Sequence, residues 1–329
     1  MRRILMSCLL AWLPLQAMAQ ALDAGVVVGN ESALSIAIVP MPYQGSRTAP
    51  AHDVAKVIRD DLNQSGQFKS LDEAAITEKP LRGADVRFPE WKKLKQDFLV
   101  VGRIVDGADG NFSIQYELMD VAKQQSLLSL SMPARASNVR RAAHQVADQI
   151  YEKILGVRGA FDTRIAYVTA TGIGQGIEYR LMVADSDGFN PQTLVRSREP
   201  LLSPAWSPDG KRIAYVSFQK GSSAVYIVEL ATGVGATDPV SSAKGINGAP
   251  AFSPDGTKIC YRKDGADGDL GILYSNDPGL YVLPLQAGAK PQLITEEGFD
   301  LLWKNNQEIY FQTYGGDGKL FKSINIQSK

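Results

Sequence analysis

The chain has 329 residues, enough for two domains, and its 35 basic residues balance its 35 acidic ones, so the net charge is zero. This balance argues against nonspecific binding of nucleic acid or of an anionic membrane, because both require a basic surface. The two histidines and two cysteines leave little material for a histidine-based catalytic centre or for a disulfide framework.

The N-terminus has the three parts of a secretory signal. Arg2 and Arg3 form a positive start, and Ile4–Leu15 is an apolar run too short to span a bilayer. The small residues before Gln20 form a cleavage motif, so we expect residues 1–19 to be removed after Ala19. The mature chain then keeps one cysteine, on a predicted buried strand, and has no intramolecular disulfide. Export without disulfides is typical of a bacterial periplasmic protein.

The segment Gln20–Ala33 has two glycines, few charges and no evident partner strand. One interpretation is a frayed terminus. The other is a short segment that docks on the protein's own body or on a partner.

Residues 34–156 are predicted to form a compact α/β domain with the element order β-α-α-β-β-β-α. The predicted strands are Leu34–Val39, Phe98–Val105, Phe112–Met119 and Ser126–Met132. The predicted helices are Ala51–Ser65, Pro89–Gln96 and Asn138–Leu155. Gly66 and Gly156 are candidates to end the first and last helices, and Asn138 is a candidate to cap the last one. Gly156–Thr163 is the predicted joint to the second half.

The second half, residues 157–329, repeats itself. The run RIAYV occurs at Arg164–Val168 and again, letter for letter, at Arg212–Val216, and related runs follow at Lys258–Arg262 and Glu308–Gln312. Each run precedes a second strand candidate: Tyr179–Ala184, Ala224–Leu230, Leu280–Leu285 and Lys319–Ile326. A third short apolar run follows in three units: Thr193–Val195, Asp238–Val240 and Gln292–Ile294. Units of about 50 residues with three or four short strands are typical of all-β propeller blades of the WD40-like kind.

Two units share a longer stretch, AWSPDGKRIAYVSF from Ala205 and AFSPDGTKICYRKD from Ala251. The letters SPDG predict a tight turn between two strands, because proline presets the first corner, aspartate bonds to the backbone and glycine accepts a positive φ. The blade-turn residues are Pro208, Asp209, Gly210, Pro254, Asp255 and Gly256. One SPDG alone could be an ordinary hairpin turn, whereas two copies inside a fourfold strand pattern favour a propeller. Neither turn is a catalytic signature.

The four units lack the strand that usually closes a propeller. GAFDTRIAYV runs straight into the second strand of the first unit, and no PAWSP-like run follows the last unit. The array is therefore a small four-bladed ring, an open arc or a truncated chain. An open arc would leave strand edges that a partner or another copy could pair with.

Candidates for chemistry are few. The chain has no G-x-S-x-G, Walker or strand-following G-x-G-x-x-G motif, and the glycines of Gly172–Gly176 lie in a predicted hairpin loop. His52 and His144 have no metal-ligand spacing and are expected to be structural or at the surface. Cys260 is expected in the core. We therefore expect no cofactor and no enzyme activity, which leaves a binding scaffold.

An acidic loop, Asp264–Gly279, follows the second SPDG copy. Asp264, Asp267 and Asp269 could coordinate a hard cation there. The alternative is a solvated loop insertion without a bound ion.

These features together resemble the TolB family, the periplasmic component of the Tol-Pal system of Gram-negative bacteria. The resemblance covers nearly the whole mature chain to about Gly298. It rests on LDAGV, IAIVP, DLNQSGQF, FLVVGRI, YELMDV, ILGVRGAFDTRIAYVTA, LLSPAWSPDGKRIAYVSF and NGAPAFSPDGTKICY. The stretch Ile154–Ala170, across the predicted joint, is the most specific of these.

The resemblance implies an α/β domain followed by a propeller, with two protein partners. The lipoprotein Pal would bind across the propeller face. The inner-membrane protein TolA would bind the mature N-terminal segment, here Gln20–Asn30. The contact residues in that segment would be Leu22, Asp23, Val26 and Val27. The family uses this segment as a switch, docked on the body or released to a partner according to whether Pal is bound.

The chain departs from the family pattern in its propeller. The family has six blades and four units are present here, and WKNNQE at Trp303–Glu308 stands where WSPDGK would. Loops leading into the inner strands are predicted near the channel mouth. The candidate partner contacts in them are Ser203, Trp206, Asn247 and Phe252. The alternative is that these residues only pack one blade against the next.

The leading hypothesis is a protein-binding scaffold that links Pal to TolA and serves outer-membrane integrity and cell division. Such a protein would be peripheral to the membrane through its partners only and would bind no nucleic acid. One alternative is a divergent paralogue that binds another envelope protein. An exported propeller hydrolase and a poorly folded fragment are the remaining readings.

Overall fold

A computed structural model describes residues 33–232, 238–241, 246–264, 278–315 and 318–327. It confirms the predicted fold class, because an α/β domain precedes a propeller-like region of small antiparallel sheets. None of the described helices is both long and apolar enough to cross a membrane. The acidic loop, apart from its ends, and the whole segment 20–32 lie outside the described residues.

The N-terminal domain contains five strands and three helices. The strands are β1 (Leu34–Ile38), β2 (Phe68–Ser70), β3 (Phe98–Asp106), β4 (Phe112–Asp120) and β5 (Gln125–Ala134). The helices are α1 (Val54–Gln64), α2 (Phe88–Lys93) and α3 (Val139–Leu155). The sheet order is β2-β1-β3-β4-β5, with β1 parallel to both neighbours and the other pairs antiparallel.

Helices α1 and α3 cover one face of this sheet. Ile38, Ile58 and Val146 belong to the buried cluster between them and the strands. The other face is covered in part by α2, whose buried Trp91 joins a second cluster on Leu99. Two long helices thus cover one face, whereas the short α2 covers only part of the other, so the two faces of the sheet have different surroundings.

The predicted helix ends are confirmed in part, since α1 begins at Val54 and not at Ala51, and α2 ends at Lys93 and not at Gln96. Asp53 caps α1 by accepting the N–H of Lys56 at 3.0 Å. Gly66 and Gly156 follow α1 and α3 with φ of 70° and 74°, as a left-handed helix terminator requires. The predicted cap at Asn138 is wrong, because its side chain accepts no capping hydrogen bond and a short 3-10 turn precedes α3 instead.

The second half forms four sheets in chain order. The first is β6 (Arg164–Thr171), β7 (Glu178–Asp185) and β8 (Gln192–Ser197). The second is β9 (Leu201–Trp206), β10 (Arg212–Ser217) and β11 (Ala224–Glu229). The third is β12 (Ile246–Phe252), β13 (Lys258–Asp264), β14 (Gly279–Pro284) and β15 (Gln292–Thr295). The fourth is β16 (Phe299–Trp303), β17 (Glu308–Gly315) and β18 (Gly318–Asn325).

Neighbouring sheets pack through their inner strands. Strands β6 and β7 contact β9, strands β9 and β10 contact β12, and strands β12 and β13 contact β16. The first sheet begins at β6 without a preceding inner strand, as its sequence indicated. The chain therefore stacks four blade units in order, each covering one face of the next.

Two predictions of strands need correction. The three-residue strand β2 was not expected, because it is too short to show an alternating pattern. The predicted strand at Asp238–Val240 is, in the residues described there, only an isolated bridge between Ser241 and Val225.

The segment between the two halves is held against α3. The carboxylate of Asp148 accepts the backbone N–H of Phe161 at 2.7 Å and that of Asp162 at 3.1 Å. Thr163 then accepts the N–H of Ser186, in the turn after β7, at 3.0 Å. The predicted joint is thus hydrogen-bonded to both halves.

Candidate functional site

Each SPDG turn is organised by its serine. The buried hydroxyl of Ser207 donates to Asp209 Oδ1 at 2.6 Å and accepts the N–H of Arg212 at 2.9 Å. Gly210 has a φ of 66°, which permits the tight turn. The copy at Pro254, Asp255 and Gly256 repeats these bonds through Ser253, so the blade turns have the same internal construction.

The inner strands share an unusual backbone feature. Ser203, Ala249 and Asp300 stand at the same place in β9, β12 and β16, and their φ values are 48°, 46° and 49°. Each lies at a break in the register between the inner strand and its neighbour. A non-glycine residue in this conformation is strained, and such strain persists where the surroundings hold it in place. The recurrence of the bulge in three units shows that it is a regular feature of the inner strands.

Ser203 and its neighbour Leu202 are exposed beside the first of these bulges. The side chain of Leu202 is 47 % exposed, and Asp300 is exposed at the third bulge. Leu302, beside the third bulge, is also exposed. This edge of the inner strands therefore presents two apolar and two polar side chains to solvent.

Trp206 and Phe252, two other predicted contacts, are clamped between blades. The guanidinium carbon of Arg164 lies 5.1 Å from the centroid of the Trp206 ring, and that of Arg212 lies 5.3 Å from the centroid of the Phe252 ring. The same arginines donate to the SPDG glycine carbonyls of the following unit, at 3.1 Å and 3.0 Å. The sequence analysis missed these clamps, although an arginine opens both copies of RIAYV.

Asn247 lies inside the protein. Its side chain is fully buried, donates to the carbonyl of Ser223 at 3.0 Å and is bonded to Ser241. Its backbone N–H donates to the hydroxyl of Ser223 at 2.7 Å. Asn247 therefore has the packing role that the sequence left open, and it is not accessible to a partner in this arrangement.

Four further predicted contacts, Leu22, Asp23, Val26 and Val27, lie outside the described residues. The same holds for Asp267 and Asp269 of the acidic loop.

A buried polar cluster joins the two halves. His144 Nδ1 lies 2.7 Å from Asp61 Oδ2, and His144 Nε2 lies 4.0 Å from Asp187 Oδ2, in the turn between β7 and β8. Arg140 forms an ion pair with Asp187, and its guanidinium carbon lies 4.2 Å from the centroid of the Phe189 ring. Burial raises the pKa of Asp61, and the hydrogen bond with His144 opposes that rise.

Asp61, His144 and Asp187 have ligand atoms within 4.8 Å of one another, close enough to hold a metal ion. Two observations argue against that use. The guanidinium of Arg140 already neutralises Asp187 and would repel a cation. His144 Nδ1 is already engaged with Asp61. The donor set fits an interdomain contact better than a metal centre.

Cys260 and His52 show no sign of reactivity. Cys260 is fully buried, and burial raises the pKa of its thiol far above the usual range. The imidazole of His52 contacts the Phe189 ring edge to face at 5.4 Å. These positions agree with structural roles.

Comparison with known proteins covers both halves of the chain. Residues 23–127 match the family model of the TolB amino-terminal domain, and residues 151–325 match that of the TolB beta propeller domain.

Individual relatives are proteins named TolB. The Tol-Pal system protein TolB of Xanthomonas oryzae pv. oryzae (strain PXO99A) is 58% identical over 239 residues, which are 72% of this chain and 54% of the relative. The protein of the same name from Xanthomonas campestris pv. campestris (strain B100) matches to the same extent. The crystal structure of TolB from Acinetobacter baumannii superposes with a TM-score of 0.72 and 32% identity, over 90% of this chain and 70% of that one. The chain spans about half the length of the curated relatives it matches, 54%.

Proposed function

This chain belongs to the TolB family, and on that premise we propose that it is a scaffold that links Pal to TolA in the envelope. TolB is a non-enzymatic, periplasmic, protein-binding component of the Tol-Pal system. The proposed role is to couple the outer-membrane lipoprotein to the inner membrane, and so to maintain outer-membrane integrity and support cell division.

The observation that carries the Pal part of the proposal is the recurrent bulge of the inner strands. Ser203, Ala249 and Asp300 keep a strained backbone in three successive units, which gives a rigid, repeated edge. Leu202 lies 47 % exposed beside Ser203, and an exposed leucine on a rigid edge is a suitable anchor for a protein partner. Trp206 and Phe252, at the ends of β9 and β12, are held by the arginine clamps and so fix the position of these strands.

The TolA part rests on the N-terminal segment. Leu22, Asp23, Val26 and Val27 are the proposed contacts, and the match to the TolB amino-terminal domain begins at residue 23. A short strip with two glycines and three consecutive valines can exchange between a docked and a released state if the two differ by a few kcal/mol.

The proposal includes the chain's processing and division. Residues 1–19 act as a cleaved signal, residues 20–33 form the partner-binding segment, and the boundary between the α/β domain and the propeller falls between Gly156 and Val157. The hydrogen bonds of Asp148 to the segment after α3 support a joint at this place.

The test is calorimetric titration of the chain from Gln20 with the soluble domain of the same organism's Pal. We expect saturable binding near one to one, weakened about tenfold or more by Leu202→Glu, because the charge would be buried without a partner. Leu320→Glu is the matched control. Leu320 is 49 % exposed but lies on β18, the outer strand of the fourth sheet, and its replacement should leave Pal binding unchanged.

Two outcomes would reject the proposal. Absence of binding by a folded protein would favour a divergent paralogue that binds another envelope protein. Equal losses from Leu202→Glu and Leu320→Glu would keep Pal as a partner but remove the bulged edge as its site.

A further inference from the structure

An open groove lies on the face of the N-terminal sheet that α1 and α3 do not cover. It encloses about 400 Å³. Its floor is formed by Arg103 of β3, Gln115 of β4, and Ser129 and Ser131 of β5, and Arg82 stands at its wall. The register aligns Arg103 with Gln115 and Gln115 with Ser131, so these three side chains form one row across the sheet.

Two polar side chains in this row have no partner among the described residues. Within the described part of the chain, neither the guanidinium of Arg103 nor the amide of Gln115 makes a hydrogen bond or an ion pair, although both are half-buried. The neighbouring Glu117 is engaged, because its carboxylate accepts the N–H of Gly83 at 2.9 Å. A half-buried guanidinium without a counter-ion is a suitable receptor for a carboxylate, which it can bind through two parallel hydrogen bonds.

The groove opens towards β5, which is an edge strand. It pairs with β4 alone. Its ten residues, QSLLSLSMPA, carry no charge. Exposed edges are usually protected by charged side chains, a bulge or a covering element, because an unprotected edge can pair with another strand. In β5 the register shift at Leu127 and Pro133 near the end act in that way, and the stretch between them, which includes Ser129 and Ser131, is unprotected.

Hydrogen bonding across the sheet shows which groups of β5 point outward. Val100 and Ile104 bond to the chain on the β1 side of β3. The backbone N–H and C=O groups of successive residues point to opposite sides of a strand. Those of Arg103 therefore point towards β4, where they pair with Gln115. Those of Tyr116, the next residue after Gln115, point towards β5. Leu130, opposite Tyr116, therefore bonds inward. The backbone N–H and C=O of Ser129 and Ser131 then point outward, away from the sheet.

We propose that the edge of β5 and this groove together bind an acidic, extended segment of a partner protein. The segment pairs its backbone with Ser129 and Ser131 and directs a long acidic side chain over Ser131 to Arg103. On the opposite face its alternate residues are apolar, because they lie beside Leu130, which is 44 % exposed on the helix side of β5. Strand addition of this kind takes affinity from the main chain and specificity from alternate side chains.

The experiment uses a fluorescently labelled synthetic peptide in which valine alternates with threonine and glutamate. Its anisotropy is titrated with the mature chain at low and at physiological salt. We expect saturable binding that weakens with salt. A peptide with glutamine in place of glutamate should bind the wild-type chain about tenfold more weakly. The acidic peptide should lose about the same affinity for the Arg103→Gln variant of the chain.

A further variant distinguishes backbone pairing at the edge of β5 from the attraction of the Arg103 charge, and a control variant accompanies it. Ser131→Pro removes an outward N–H at a position where an edge strand tolerates proline, and it should weaken binding of both peptides. Arg196→Gln is the matched control, because Arg196 is an exposed arginine on β8, remote from the groove, and it should change nothing. Hydrogen exchange of the backbone amides of residues 125–134, measured with and without peptide, tests pairing at the edge of β5 directly. Exchange should slow when the peptide binds.

Three results would overturn the proposal. They are no saturable binding by a folded protein, equal binding by Arg103→Gln, and unchanged exchange in β5. Displacement of the probe by a peptide of residues 20–30 at equal affinity would assign the groove to the chain's own N-terminal segment instead of a partner.

Discussion

At the scale of single residues, the SPDG serine and aspartate determine the strength of the blade turns. Ser253 Oγ donates to Asp255 Oδ1 at 2.6 Å, and the N–H of Thr257 donates to the same oxygen at 2.9 Å. These hydrogen bonds hold the pKa of Asp255 well below its usual range, the one from Ser253 contributing most. The pKa of Asp209 is lowered in the same way by Ser207.

We expect Asp255→Ala to lower the free energy of unfolding by about 1–2 kcal/mol, because charge-assisted hydrogen bonds to a fixed backbone are lost. Urea denaturation at neutral pH measures this change. Asp238→Ala is the control, since the Asp238 side chain is 88 % exposed and, among the residues that the structure describes, pairs only with Lys220 at 3.4 Å. Its effect should stay within about 0.5 kcal/mol. Equal effects of the two substitutions would contradict the role of the turn.

The same carboxylate predicts a pH dependence. The pKa of Asp255 is lower in the folded chain than in the unfolded chain, where it is about 4. Its contribution to stability is therefore present above that value and is lost as the pH falls through the folded pKa. The stability difference between the wild type and Asp255→Ala should shrink as the pH is lowered below about 4. A difference that stays constant over that range would show that charge plays no part.

At the scale of elements, the arginine that opens RIAYV connects successive blades. Arg212 of β10 reaches the next unit, where it contacts the Phe252 ring and donates to the Gly256 carbonyl. The third unit has Lys258 at this position. Trp303 contributes to the contact with the fourth unit, because its indole N–H donates to the Ala251 carbonyl at 3.0 Å. The blade contact is preserved although the side chain that makes it changes.

Arg212→Lys should destabilise the chain by about 1 kcal/mol, because lysine keeps the charge but loses the planar group that stacks and donates at once. Thermal or urea unfolding measures the loss. Arg196→Lys, at a position where the arginine is 60 % exposed, should be nearly neutral. If both substitutions are neutral, the clamp does not contribute to stability.

At the scale of the whole molecule, the cluster around His144 couples the two halves. Asp61 and His144 belong to the helices of the N-terminal domain, whereas Asp187 belongs to the first blade unit. Asp187 also accepts the N–H of Phe189 through its other oxygen, at 3.0 Å. One carboxylate thus shapes its own turn and holds the arginine of α3.

Asp187→Asn should uncouple the halves, because asparagine keeps the acceptor for Phe189 but leaves Arg140 without its counter-charge, at a cost of about 3 kcal/mol. We expect one cooperative unfolding transition in the wild type and two in the variant, with faster proteolysis between residues 157 and 163. Asp185→Asn is the control, since the Asp185 side chain makes no hydrogen bond or ion pair with the residues that the structure describes. A single unchanged transition in both variants would show that other contacts carry the coupling.

Local chemistry explains why much of the fold could be predicted. Gly156 ends its helix and SPDG turns its chain for reasons contained in a few adjacent residues. The repeat at positions 164, 212, 258 and 308 predicts blade units because each copy has the same strands and turns. The candidate site was predictable only in part, because exposure depends on neighbours. Ser203 is exposed, whereas Asn247, in the equivalent region of the next unit, is fully buried.

The sequence by itself determined the order of the longer helices and strands, the blade turns, the family and the absence of any catalytic motif, since each follows from short-range pattern or from similarity. Only the tertiary structure decided that His144 contacts Asp61, that arginines clamp the next blade, and that Arg103 lies beside an open strand edge with no counter-ion among the described residues. These contacts join residues far apart in the chain, 83 positions for Asp61 and His144 and 44 for Arg212 and Gly256. Packing brings such residues together, and no local periodicity records which side chains will meet.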